Sequence, residues 1–265
     1  MRREMPCVLL IGGLDPGGGA GVLADARAVA RAGAFGCAAV AVLTVQSTSG
    51  MRSATPVAAR EVIAECTEVI KHQRVRTMKL GALGSEENVR AVGDFLAIHR
   101  DIPAVVDTVM VPTRGRARLL EERAVRALKK RILPRAALAT VNAPEAEILT
   151  GKRVTRIDEA RDAAKALVDL GAHAVLLKGG HLGGPRAIDI LATADDVVSF
   201  AAPRLRVAPF HGCGCSLASL IAGRLAVSDD LTDLEPAVRW AKKIHHAALS
   251  KATDVGGDLR VLFAS

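Results

Sequence analysis

The chain predicts a three-layer α/β fold: a doubly wound, mostly parallel sheet with helices on both faces and an antiparallel hairpin at one edge. Three observations carry this. Six short runs rich in Val, Ile, Leu and Ala recur at 7–11, 38–45, 77–80, 104–107, 138–141 and 174–178, as strands buried on both faces require. Longer amphipathic stretches alternate with them, which implies right-handed crossovers. After Lys178 the alternation stops, and 188–192 and 197–200, separated by Asp195 and Asp196, read as a hairpin.

Taken in order, the first strand (7–11) runs into a glycine-rich turn and a helix over 20–31. The strand at 38–45 is followed by a helix at 58–70, that at 77–80 by 86–99, and that at 104–107 by 119–131. After 138–141 comes a helix at 158–170, in which Ala160, Ala163, Ala164 and Leu167 recur at helical spacing and Gly171 supplies the stop. Past the hairpin, helices at 215–226 and 234–250 close the chain. With 265 residues and no linker, repeat or low-complexity segment, one domain spanning 1–265 is expected.

Composition narrows the function. Thirty-six Lys and Arg against 28 Asp and Glu give a net charge of +8, which suits phosphorylated small molecules as well as nucleic acid. Aromatic residues are only 2%, with no Tyr, too few for base-stacking platforms. The basic residues are also dispersed, so nucleic acid is not the expected partner. No apolar run reaches the roughly 20 residues of a bilayer span, and a membrane partner is not expected either. Five cysteines do not form an even framework, and Met1-Arg2-Arg3-Glu4 leads straight into the first strand without a signal-like stretch. The expectation is a cytoplasmic protein.

The chemistry-bearing residues cluster at strand ends. The segment from Ile11 to Gly21, IGGLDPGGGAG, places flexible backbone between the first strand and helix, but lacks the G-K-[ST] of a Walker A loop. His211 to Leu217, HGCGCSL, opens a helix of small residues. Backbone N–H groups freed by Gly212 and Gly214, with the helix dipole behind them, form a cradle for anionic oxygens. Cys215 sits at that positive end, where its thiol pKa is expected to fall; Cys213 reads more simply as a small buried residue. Asp107 ends one strand and Asn142 and Glu145 follow the next, at the end of a parallel sheet that lines ligand crevices. Asp107 and Glu145 are candidate Mg²⁺ carboxylates, and Lys178 is a strand-end cation that can meet phosphate. Each of these taken alone also suits a capping or surface role.

Together, GGLDPGGGAG, GVLAD at Gly21–Asp25, Gln46, DTVM, NAPEAE, LKGGHL and HGCGC follow one order over some 200 residues. This set resembles the hydroxymethylpyrimidine (phosphate) kinases, the thiamine-biosynthesis branch of the ribokinase-like superfamily. The resemblance implies ATP- and Mg²⁺-dependent phosphorylation of 4-amino-5-hydroxymethyl-2-methylpyrimidine and then of its monophosphate. It implies Gly212, Cys213, Gly214 and Cys215 as the anion hole, with Cys215 as catalytic base where sugar kinases carry Asp. Ala20, Asp25, Gln46, Ala82 and Val109 would face the pyrimidine, Asn142 and Lys178 the nucleotide phosphates, and Asp107 and Glu145 the metal. Relatives commonly form homodimers.

The chain departs from the family pattern around this set. Leu14 and Leu23 replace a hydroxyl residue and Gln, and Ser47 replaces Asn. Ala82 replaces a frequent Met and enlarges the pocket. The flap reads Val111-Pro112-Thr113-Arg114-Gly115 without its lysine, Pro209 to Cys215 lacks two threonines, and the C-terminal stretch reads Gly256-Gly257-Asp258. Two alternatives therefore stand beside the pyrimidine kinase: a kinase for a pyridoxal-type or other alcohol, and a non-catalytic pyrimidine-binding or regulatory protein. Turnover of another alcohol would mark the first, pyrimidine binding without turnover the second.

Overall fold

The structure is a computed structural model that describes residues 4–110, 120, 122–205 and 210–263. Among them nine strands form one sheet: β1 (Cys7–Leu14), β2 (Phe35–Ser47), β3 (Gly50–Pro56), β4 (Val75–Leu80), β5 (Ala104–Asp107), β6 (Ala136–Asn142), β7 (Ala174–Lys178), β8 (Arg186–Thr193) and β9 (Val197–Pro203). Their order is β3-β2-β1-β4-β5-β6-β7-β8-β9. The six central strands, β2 to β7 across the sheet, are parallel, while β3 at one edge and β8 and β9 at the other run antiparallel.

The helices are α1 (Gly21–Arg31), α2 (Ala59–His72), α3 (Glu86–Ile98), α4 (Glu122–Ala127), α5 (Ala143–Thr150), α6 (Ile157–Asp169), α7 (Cys213–Val227) and α8 (Leu234–Ser250). Strand side chains alternate between two faces, and β1 shows what that does here. Val8 and Leu10 join the core under α1, α7 and α8, whereas Leu9 and Ile11 join the core under α2, α3, α5 and α6. All four are shut off from solvent, each contributing roughly 1.5–3 kcal/mol as an upper estimate. A strand that feeds two cores has no polar face, which is why its sequence is a continuous apolar run. Helix α7 is apolar all round for a similar reason: it lies between α1 and α8 as well as on the sheet.

The expected elements are present, with three differences. β3 was not expected: GMRSATP is polar and ends in proline, and it is tolerated because an edge strand needs only one hydrogen-bonded side. α5 was not among the expected helices. It begins where Asn142 accepts a hydrogen bond from the Glu145 N–H and Glu145 accepts one from the Asn142 N–H, a reciprocal cap followed by Pro144 in the first turn. The expected helix over 119–131 ends early: α4 stops at Ala127 and gives way to a π-turn at Leu128–Ile132 and a 3₁₀ turn at Leu133–Arg135. Pro134 has no N–H to continue the i to i−4 bonding, and its ring crowds the carbonyl one turn back.

Candidate active site

From β1 the chain crosses to β2 on one side and later to β4 on the other, so the direction of winding reverses at β1. Ligands of open parallel sheets bind at such a switch, beyond the carboxyl ends of the strands. A cavity of about 520 Å³ opens there, within the range of small-molecule sites. Its walls include all thirteen residues singled out in the sequence: Gly212, Cys213, Gly214 and Cys215; Ala20, Asp25, Gln46, Ala82 and Val109; Asn142 and Lys178; Asp107 and Glu145. They come from the loop after β1, helix α1, the ends of β2, β4, β5, β6 and β7, and the starts of α5 and α7.

The floor is charged. Lys178 Nζ donates to Asp107 Oδ1 at 2.7 Å, and the Thr140 hydroxyl donates to the same oxygen at 2.8 Å. Burial works against the Asp107 charge, but Lys178 and Lys79 hold its carboxyl below the usual range. Lys79, entirely buried, donates to Asp25 Oδ2 at 2.7 Å, and Ser219 donates to Asp25 Oδ1 at 2.8 Å. Both ammonium groups stay charged: burial opposes them, and the facing carboxylates outweigh it. Asp25, expected to face the pyrimidine, thus lines the cavity with its carboxylate already engaged by Lys79 and Ser219. Glu145 Oε2 accepts from the Asn142 N–H at 3.0 Å and the Thr108 hydroxyl at 3.2 Å, and burial pushes its carboxyl up to about 7.

Above this floor sits the first turn of α7. Its cap, Gly212, has φ +70°, and a Cβ there would lie 2.1 Å from the Gly19 carbonyl oxygen, so only glycine fits. The helix's own bonding begins with Ser216 N–H to Gly212 O at 3.0 Å. The N–H groups of Cys213, Gly214 and Cys215 precede it, at the positive end of the dipole. A Cβ on Gly214 would come within 3.1 Å of the Lys178 ammonium, which measures how closely the turn overlies the Asp107–Lys178 pair. From the other side His245 Nε2, 2.9 Å from the Cys213 carbonyl oxygen, steadies the turn. Burial pushes His245 down to about 4, leaving it neutral with that N–H to donate.

One expectation is overturned. The thiol of Cys215 was expected to fall in pKa at the helix start. Although the cavity leaves it partly accessible, the protein packed around it pushes it up to about 12, with Asp107 and Asp25 adding to that rise against Lys79 and Lys178. Desolvation wins over the dipole and two cations, so the resting group is a thiol. Cys213 is likewise pushed by burial to about 11.

Sequence reasoning did not single out Asp15, Lys79 or His211, which also line the cavity. Asp15 Oδ1 accepts from the Gly17 N–H at 2.8 Å and Oδ2 from the Ala20 N–H at 2.9 Å, shaping the glycine loop. His211 Nε2 lies 2.8 Å from Asp15 Oδ2. The signal for Lys79 was a lysine between Met78 and Leu80 inside a strand run; for His211 it was the first residue of the glycine motif. The flap at 111–118 and residues 206–209, with Pro209 among them, lie outside the described residues.

Residues 15–261 match the family model for phosphomethylpyrimidine kinase. A hydroxymethylpyrimidine/phosphomethylpyrimidine kinase of Rhizobium meliloti is 39% identical, over 92% of this chain and 90% of that protein. Its counterpart in Escherichia coli is 35% identical over 92% and 91%. Among solved structures, the phosphomethylpyrimidine kinase of Clostridium difficile superposes with a TM-score of 0.79 at 29% identity, over 93% of this chain and all of that one. A pyridoxal kinase of Bacillus subtilis in complex with ADP superposes at 0.88 with 24% identity over 98% and 97%, a likeness of fold. With a family match across nearly its whole length, the chain belongs to the phosphomethylpyrimidine kinase family.

Proposed function

We propose that this protein transfers the γ-phosphoryl group of ATP to the hydroxymethyl oxygen of 4-amino-5-hydroxymethyl-2-methylpyrimidine, and then to the phosphate of the product. The observation that carries it is the open first turn of α7, lying over the Asp107–Lys178 pair in the same cavity as Gln46 and Cys215. Phosphoryl transfer passes through a loose transition state whose charge spreads over the equatorial oxygens. Three N–H donors and a lysine placed beforehand stabilise that charge without reorganisation, each donor being worth roughly 2.7–4 kcal/mol.

In this reading Ala20, Gln46, Ala82 and Val109 receive the ring, with Asp25 holding Lys79 beneath them. Lys178 and Asn142 meet the phosphates. Cys215 takes the proton of the attacking hydroxyl in its thiolate form. Asp107 and Glu145 suit Mg²⁺: they are hard oxygen donors, and the raised Glu145 carboxyl is one that a cation would relieve. Among the described residues no group of three or more His, Cys, Asp or Glu could hold a metal, as expected for an ion bound through few carboxylates, water and substrate phosphates. When bound, Mg²⁺ neutralises phosphate charge.

The lost threonine at 213 does not argue against turnover, because the cradle is backbone and Cys213 keeps its N–H. That favours the enzyme over a non-catalytic binder. Replacing Gln46→Leu tests the assignment: pyrimidine affinity by calorimetry should fall about tenfold or more while the ATP analogue binds as before. Equal losses for both ligands would remove Gln46 from the pyrimidine subsite. A cytoplasmic homodimer completes the proposal, as in the resembling family; light scattering should give twice the 27.7 kDa chain mass, and a monomer mass would exclude it. Among the described residues no helix is long and apolar enough to cross a membrane.

A further inference from the structure

The hydrogen bonding around His211 decides which edge of Gln46 the cavity sees. His211 is 3% exposed and its ring is held in place: a Cβ on Gly19 would lie 2.3 Å from His211 Cδ2, and the His211 backbone N–H donates to the Arg260 carbonyl at 2.9 Å. Asp15 is ionised. Burial works against its charge, but His211 and two backbone N–H groups hold its carboxyl below the ordinary value. An ionised carboxylate only accepts. Since His211 Nε2 lies 2.8 Å from Asp15 Oδ2, Nε2 must carry the proton. Nδ1 is buried with no hydrogen-bond partner, and an orphaned acceptor there costs less than an orphaned charged donor. What Gln46 faces depends only on Nε2 carrying its proton, which the ionised Asp15 carboxylate at 2.8 Å requires.

Gln46 reports the consequence. In one amide orientation its nitrogen lies 3.0 Å from His211 Nε2, which sets donor against donor. Nε2–H has no lone pair to offer, so the oxygen end of the amide belongs there, sharing the proton with Asp15 in a three-centre bond. We propose that His211, fixed by Asp15, is a positioning residue that locks the Gln46 amide end for end and thereby selects the 4-amino pyrimidine over its 4-oxo counterpart. In the locked orientation Oε1 keeps its second lone pair for an exocyclic N–H, and Nε2 gives an N–H to the neighbouring ring nitrogen. A 4-oxo ring presents the reverse pattern, an acceptor oxygen beside a ring N–H, and needs the amide turned over.

This inference rests on the pyrimidine-kinase reading and deepens it. The test measures kcat/KM for the 4-amino and 4-oxo hydroxymethylpyrimidines in the wild type, His211→Gln and His211→Leu, with thermal melting of each. The wild type should prefer the amino ring by about 100-fold or more, as sites with complementary hydrogen bonds do. His211→Gln retains a donor toward Gln46 and should keep that ratio within about threefold. His211→Leu frees the amide and should reduce the ratio by about tenfold or more, with the KM for ATP unchanged. An unchanged ratio in His211→Leu overturns the inference. Should that variant fail to fold, ¹⁵N NMR of the wild type decides: a protonated Nε2 supports the lock, and a bare Nε2 overturns it. Absence of turnover and of binding for both pyrimidines would instead overturn the substrate reading, while the NMR result would still judge His211.

Discussion

Cys215 shows how one residue can sit in the right place with the wrong resting charge. Helix start and lysines favour the thiolate, burial opposes it, and burial wins. A base works deprotonated, so a thiol pKa near 12 makes the active fraction rise tenfold per pH unit through the neutral range. The rate constant kcat at saturating substrates should therefore climb with a log slope near one from about pH 7 to 9. Cys215→Ala should lose most of kcat and the slope with it, while binding the pyrimidine nearly as well. Full activity in that variant would remove Cys215 from the mechanism. The residue type and its place at the motif end were legible in the sequence. Its pKa was not, because desolvation depends on the packing of Asp25, Lys79 and Asp107, which arrive from three different strands and helices.

At the scale of elements, short caps hold the site. Asn142 ends β6 and begins α5, and its side chain accepts the Glu145 N–H at 2.9 Å while Glu145 Oε2 returns to the Asn142 N–H. Removing such a cap costs about 1 kcal/mol, in the range 0.5–2. Asn142→Ala should lower the urea midpoint accordingly and weaken nucleotide binding, since the Glu145 backbone N–H loses its side-chain acceptor and the proposed Asn142 contact to the phosphates is removed. A midpoint unchanged from the wild type would show that the box does not carry α5. The motif N-A-P-E was in plain view as a helix start, yet the same residues also read as crevice ligands, and a single sequence does not separate the two roles. The core strands were legible because burial on both faces leaves a continuous apolar run. β3 was not, because an edge strand has no such requirement.

Across the whole molecule, the reversal of winding at β1 gathers residues from Ala20 to Cys215 at one end of the sheet. Motifs spread over nearly 200 positions become one cavity only because every parallel strand points its carboxyl end the same way. Their convergence was implied by the strand–helix alternation; the ion pairs beneath them were not, since Lys79 and Asp25 are 54 residues apart and meet only across the fold. With Phe210 and Cys213 in their places, this frame and its backbone cradle stand at Gly212 to Cys215. On the proposed function, this cradle still transfers phosphoryl groups. The most direct test is ADP release from Mg-ATP in the presence of hydroxymethylpyrimidine, its monophosphate or pyridoxal, with calorimetric binding of the same ligands. Turnover with both pyrimidines, well above the rate with pyridoxal, is expected. Tight pyrimidine binding without ADP release would contradict it and make the protein a receptor on a kinase fold.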